Sequence, residues 1–323
     1  MLSIIGVRTF ALANESGGTS NPCPAAKLDR RNEQIKGMTN PVFPKDWLDS
    51  IQKSGKFFEQ EIATLVHESG FGWVIPNYAY LDVEEGKSRE MDVYAMAGKR
   101  IGRKWNFIFP ILLISVSDKP LVCFTRKDWI SPYTTAGIQI SGMPRNVFTK
   151  KGNLEIAEFL KIEKLHHYYK RDKISSQFWS PLERKDTNGD YFYRELLLPL
   201  IKSIVAEKKE HEKGWYFDPT GEPINLQLYY PIIVVNDLWE CFMTGDKVSY
   251  SKTRSLGFLF HTASESYSGD YMVDICTKEG LVDIIKSIDL ETDKIVAGIK
   301  KNRVLLEKSA LQDAKSRSKK KSR

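Results

Sequence analysis

From Asp46 onward, apolar residues recur at helical spacing, at Trp47, Leu48, Ile51, Phe58, Ile62, Leu65 and Val66, with Asp46 placed to cap the segment and Gly70 to end it. The spacing predicts a helix here. Asn77 to Asp82 and Arg89 to Ala97 flank a Glu84-Glu85-Gly86-Lys87 turn, and in the second arm Met91, Val93 and Ala95 alternate with Glu90, Asp92 and Tyr94. That alternation predicts a hairpin. Phe107 to Val116, FIFPILLISV, is apolar on both faces, as expected of a strand in the middle of a sheet that helices cover on each side.

Beyond Gly152 the helical period returns in Leu154 to Tyr169 and again in Tyr193 to Lys208, separated by a polar stretch containing Pro181 and Asn188-Gly189. Tyr229 to Asn236, YYPIIVVN, predicts a second buried strand. Tyr271 to Thr277 predicts a shorter one, and Gly280 to Glu307 is helical in its spacing. There is no internal repeat. Helices and strands mixed in this order predict an α/β or α+β fold, a mixed central sheet flanked by helices. Residues 1–37 are rich in Gly, Asn, Ser and Pro and read as a flexible extension, with Met38 the expected start of the native chain. The folded domain is expected over 38–306, followed by a basic flexible tail over 307–323.

Composition narrows the function classes. At 323 residues, 41% hydrophobic and 11% aromatic, the chain has ordinary globular proportions. No run reaches the ~18–20 uncharged apolar residues of a membrane helix, so no membrane partner is expected. The formal charge of +7 owes most of its excess to Lys315, Arg317, Lys319, Lys320, Lys321 and Arg323, and without these six the body is nearly balanced. Cys23, Cys123, Cys241 and Cys276 stand far apart, with neither the paired spacing of a zinc site nor the density of a disulfide scaffold, which points to a reducing, cytoplasmic setting. Ala11-Leu12-Ala13 resembles a signal-peptide cleavage site, but Arg8 interrupts the apolar stretch and no positive region precedes it.

Several chemistries lack their motifs. Gly86-Lys87-Ser88 has Leu81 where a phosphate-cradling P-loop needs glycine, and HExxH, GxSxG and GxGxxG do not occur. His166-His167 falls in a segment read as helix, where neighbouring side chains diverge by about 100°, so it is read as a surface pair and not a metal site. Trp73, Trp105, Trp129, Trp179, Trp215 and Trp239 are mostly flanked by apolar residues, which predicts core packing over base stacking.

What remains is Phe57-Phe58-Glu59 in the first helix, Arg89-Glu90-Met91-Asp92 in the hairpin, and the buried strand ending Leu113-Ile114-Ser115-Val116-Ser117-Asp118-Lys119-Pro120. A helix glutamate, a hairpin aspartate and then the end of a buried strand resemble the PD-(D/E)xK, or restriction-endonuclease-like, superfamily. GKFFEQEIATLVHESGFG looks like its helix and KSREMDVYAMA like its hairpin. The resemblance spans about residues 45–125, and YYPIIVVNDLWE and YMVDICTKEGL look like late strands of bacterial members. It implies a restriction-endonuclease-like mixed sheet. It also implies a site in which Asp92, with Glu59, holds Mg²⁺ or Mn²⁺ on a scissile phosphate while a lysine positions the attacking water.

Where the superfamily carries E-x-K, this strand reads Ser115-Val116-Ser117. Two residues apart, the serines share a strand face, but a carboxylate and an ammonium have become hydroxyls. The first expectation is therefore a nuclease fold with a degenerate site that binds nucleic acid, DNA in preference to RNA, or a protein partner. An alternative is an active divergent endonuclease using Asp92 and Glu59, with Lys119 or Lys104 as a migrated amine and Glu90 as a migrated carboxylate. A third, resting on fold-level analogy, is an interaction subunit of a bacterial assembly such as a phage-defence system.

Overall fold

The computed structural model describes residues 44–101, 107–127, 138–171, 173–180, 191–214 and 224–321. Two compact units are present, Met1–Leu48 and Asp49–Arg323, and the sheet and its covering helices belong to the second. The expected extension over 1–37 with Met38, and Lys104, Trp105, Trp129, Pro181, Asn188-Gly189 and Trp215, lie outside the described residues.

Helices α1 (Lys45–Lys53) and α2 (Lys56–Glu68) replace the single helix that the spacing predicts. Gly55, at φ +75°, divides them, because a left-handed residue cannot continue a right-handed helix. The hairpin follows as β1 (Trp73–Asp82) and β2 (Lys87–Met96), then β3 (Lys99–Arg100), β4 (Phe107–Ser117) and β5 (Leu121–Lys127). Next come β6 (Gln139–Met143), β7 (Asn146–Thr149), β8 (Gly152–Glu155), α3 (Ile156–Phe159), α4 (Ile162–Leu165) and β9 (Lys173–Trp179). The later half holds α5 (Leu198–Gly214), β10 (Asn225–Val235), β11 (Leu238–Thr244), β12 (Lys247–Lys252), β13 (Ser255–Thr262) and β14 (Gly269–Cys276). Helices α6 (Lys278–Lys301) and α7 (Arg303–Lys321) close the described chain, making seven α-helices among the described residues.

Twelve strands form one mixed sheet in the order β1-β2-β4-β10-β14-β13-β9-β5-β11-β12, with β3 on β4 and β6 on β10. Strands β1, β2 and β4 run antiparallel as neighbours, and β4, β10 and β14 run parallel. Alternate residues of β4 enter opposite cores, as its two-sided apolar sequence predicts. Leu112, Ile114 and Val116 join Ile62 and Val66 of α2 and Ile285 and Ile288 of α6, whereas Ile111 and Leu113 join Leu197, Leu200 and Ile204 around α5. The molecule is thus an α/β fold with a large mixed sheet, and β4 and β10 lie buried in its middle.

Three expectations are corrected. Leu154 to Tyr169 is not one helix: β8, α3 and α4 share it with a 3₁₀ turn at His167–Lys170, and Lys161 at φ +53° stops the helical run. His166 is extended and buried, and His167 is nearly so, so the pair is not a surface feature. Trp73 and Trp179 are more than half exposed, since one opens the edge strand β1 and the other ends β9. Helix α7 also runs past residue 307. Asp313 accepts from the N–H groups of Arg145 and Asn146 at 2.8 and 3.0 Å, and Ser309 Oγ accepts from the N–H of Phe148 at 3.1 Å, tying α7 to β7. Among the described residues no helix is long and apolar enough to cross a membrane.

Candidate functional site

The elements named in the resemblance meet where β2 parts from β4. Their ladder pairs Met96 with Ile111 through to Val93 with Ile114, and ends there. Beyond it, the N–H of Val116 donates to Asp92 Oδ2 at 2.7 Å, so a side-chain carboxylate replaces the missing backbone acceptor. The register of β1 on β2 sets Asn77 opposite Asp92, and Asn77 has φ +50°. Alternation slips at this place in both strands. Ile75 and Tyr78 face the same core, as do Met91 and Tyr94, although each pair is three residues apart. A bulge-like kink of this kind re-aims a side chain, here Asp92.

Helix α2 brings the second carboxylate. Lys56 Nζ lies 2.6 Å from Glu59 Oε2 and also donates to Asn77 Oδ1 at 3.4 Å. Burial pushes the Asp92 carboxyl up to about 6, with the charges of Glu59 and Glu90 adding to the effect and the Val116 N–H and Lys56 opposing it. The structure therefore brings Asp92, Glu59 and exposed Glu90 into one electrostatic neighbourhood, with Lys56 as its cation. Sequence reading missed Lys56, although its place three residues before Glu59 on a helix is the spacing at which such pairs meet.

Lys119 Nζ sits 3.3 Å above the ring of Tyr191, which bonds Ser117 and lies within the field of Asp92. Ser115 and Ser117 share a face, as their spacing requires, but it is the α5 face. Ser115 Oγ donates to the carbonyl of Leu196 at 3.1 Å, and Ser117 Oγ accepts from the N–H of Lys119 at 3.2 Å. Both are buried and satisfied. On the α2 face this strand presents Ile114 and Val116, packed with Ile62 and Val66. One carboxylate bound to a backbone N–H, a second held by a lysine, and an apolar strand between them make a poor cradle for a hard cation that prefers about six oxygen ligands.

A second polar cluster lies inside the α6 face, and sequence reading missed most of it. His167 Nε2 is 2.8 Å from Asp274 Oδ2, and its Nδ1 is 3.0 Å from Glu291 Oε2, which also accepts from the His167 N–H at 2.8 Å. Arg171 pairs with the other oxygen of Asp274. His166 stacks on His167 with ring centroids 4.8 Å apart, and its Nε2 stands 3.7 Å from Glu291 Oε1. Burial works against a charge on His167, but Asp274 and Glu291 hold it up at about 9, while burial takes His166 down to about 4. Two signals were legible: Asp274 interrupts the apolar strand β14, and Glu291 falls on the apolar stripe of α6 between Ile288 and Ile295.

Comparison of the chain with models of known protein families, with curated proteins and with solved structures finds no match, so a functional reading rests on the geometry described above.

Proposed function

We propose that the chain is a restriction-endonuclease-like protein whose cutting site is degenerate, and that it works by binding nucleic acid without cleaving it. The order of helix, hairpin and central strand, with Glu59 and Asp92 converging where β2 leaves β4, supports the nuclease lineage. One observation carries the loss of chemistry: the Val116 N–H occupies Asp92 Oδ2, and Ser115 at the first E-x-K position is bonded to the Leu196 carbonyl. The strand thus adds neither a carboxylate nor an amine there.

Lys56 favours a second reading. It is an amine in the field of both Asp92 and Glu59, the place a migrated catalytic lysine would take in an active endonuclease. Its ion pair with Glu59 ties up both groups, and for that reason the binding reading is preferred. Cleavage and binding of short single- and double-stranded DNA and of RNA, with Mg²⁺, Mn²⁺ or EDTA, separate the two. The expected result is salt-sensitive association, with no cleavage that Asp92→Ala or Lys56→Ala removes. Absence of binding to all three would end the nucleic-acid reading and turn attention to protein partners.

A further inference from the structure

We propose that His166, His167 and Glu291 form a binding site for a transition-metal cation of the zinc class. Each offers one ligand atom, and these atoms lie within 4.8 Å of one another inside the protein. Two imidazole nitrogens and a carboxylate are a donor set that suits zinc and its first-row neighbours and not the oxygen-seeking Mg²⁺ or Ca²⁺. A zinc ion about 2.1 Å from each ligand in a tetrahedron would hold those ligands roughly 3.4 Å apart. The contacts to Glu291 are 3.0 Å from His167 Nδ1 to Oε2 and 3.7 Å from His166 Nε2 to Oε1, and the side chains would close in from the 4.8 Å that spans the set.

Three further observations point the same way. Glu291 is 2% exposed, and its Oε1, the carboxylate oxygen that faces His166, has no well-formed hydrogen bond, the Tyr230 hydroxyl being the donor that interacts with this carboxylate. A buried carboxylate oxygen so weakly served is costly, and an ion between it and His166 would serve both. Next, His167 is oriented as metal-bound histidines are. Its Nε2 lies on Asp274, which Arg171 holds in turn, leaving Nδ1 turned toward Glu291. A carboxylate on the far nitrogen fixes the tautomer and strengthens the ligand. Finally, His167 lines a cavity of about 410 Å³ together with Arg171, Lys170, Lys173, Asp283 and Ser287, so one ligand of the cluster borders open space.

Binding needs a bare nitrogen on each histidine. A proton on His167 Nδ1 would leave to solvent, with Nε2–H kept on Asp274, and His166, whose Nδ1 accepts from the Tyr168 N–H at 3.3 Å, would carry its own proton on Nδ1 and give up that bond. With three protein ligands the fourth place of a tetrahedron is open to water, the coordination that catalytic rather than closed structural zinc sites share. The adjacency that argued against chelation in a helix does not apply here, because His166 is extended and only His167 begins the 3₁₀ turn.

The inference is independent of the nuclease reading and is tested on the full-length chain after EDTA treatment and desalting. Wild type is expected to retain one equivalent of Zn²⁺, to give the visible absorption bands of tetrahedral Co²⁺, and to unfold at higher urea with Zn²⁺ than with EDTA. His166→Gln is expected to lose the Co²⁺ bands and at least tenfold in Zn²⁺ affinity. Glu291→Gln, which keeps the shape, is expected to do the same. Failure of the wild-type chain to retain Zn²⁺ or show the bands would overturn the proposal whatever the variants do. So would a folded His166→Gln that binds as wild type does, since the ion would then sit elsewhere.

Discussion

Replacing Asp92 by Asn tests the site through its electrostatics, without assuming any activity. The Asp92 carboxyl titrates at about 6 in the fold against 3.8 for the ordinary group, because it is buried beside Glu59 and Glu90. The folded state therefore holds this proton more tightly than the unfolded chain. The contribution to stability is greatest below pH 3.8, declines as pH rises toward 6, and above 6 the ionised form costs the fold up to roughly 3 kcal/mol. Asparagine keeps an oxygen to accept the Val116 N–H, now 2.7 Å from Asp92 Oδ2, and carries no charge at any pH. Its amide N–H₂ needs partners of its own, so a net gain of about 1–2 kcal/mol is expected above pH 7. Urea unfolding of wild type and variant in EDTA at pH 4 and at pH 8 measures it. The variant should be the more stable at pH 8, and the two should converge at pH 4. A variant less stable at pH 8, or a difference that does not change with pH, would refute the reasoning.

Two other outcomes follow from the same geometry. Restoring the superfamily residues as Ser115→Glu with Ser117→Lys should give no metal-dependent cleavage and should lower stability by about 3 kcal/mol or more, because the new charges enter the buried α5 face beside Met91 and Leu196. Nuclease activity in that variant would show that the serines face the site after all. Lys202→Met should cost about 3 kcal/mol in urea unfolding, since Lys202 lies 2.7 Å from Asp82, a carboxylate with no exposed surface at the β1–β2 turn. A neutral result would mean that Arg89, at 3.5 Å, suffices to hold Asp82.

The parts of the fold that could be read from the sequence were those whose burial is continuous. The apolar run of β4 announced a central strand because both its faces are core, and the Glu84 to Lys87 turn announced the hairpin because the flanking strands are long. Strands such as β9, β12 and β13 stayed hidden. β9 and β12 carry many polar residues, and β9 takes its place by pairing with segments far along the chain, β5 and β13. The helical spacing of Leu154 to Tyr169 misled because one left-handed residue, Lys161, resets the chain without altering which residues are apolar.

The site was legible to the same extent. Glu59 lies in a helix and Asp92 in a hairpin strand, as the spacing predicts, and the charge of Glu59 acts on Asp92. The facing of Ser115 and Ser117 could not be read, because strand periodicity states that they share a face and not which helix covers it. The slip of alternation around Asn77 and Asp92 had no sequence signal beyond an asparagine, a residue that tolerates the left-handed region. Lys56 and the Glu291 cluster were available as charges at unexpected helical positions and acquire meaning only through their three-dimensional neighbours.

The most direct test of the central claim is a single experiment on the purified full-length chain and Asp92→Ala, with labelled single- and double-stranded DNA in Mg²⁺, Mn²⁺ and EDTA, following association and cleavage in the same samples. Association that weakens with salt, together with no cleavage beyond that of the variant, is the expected result. Metal-dependent cleavage that disappears in Asp92→Ala would contradict it and establish a working nuclease at the junction of α2, β2 and β4.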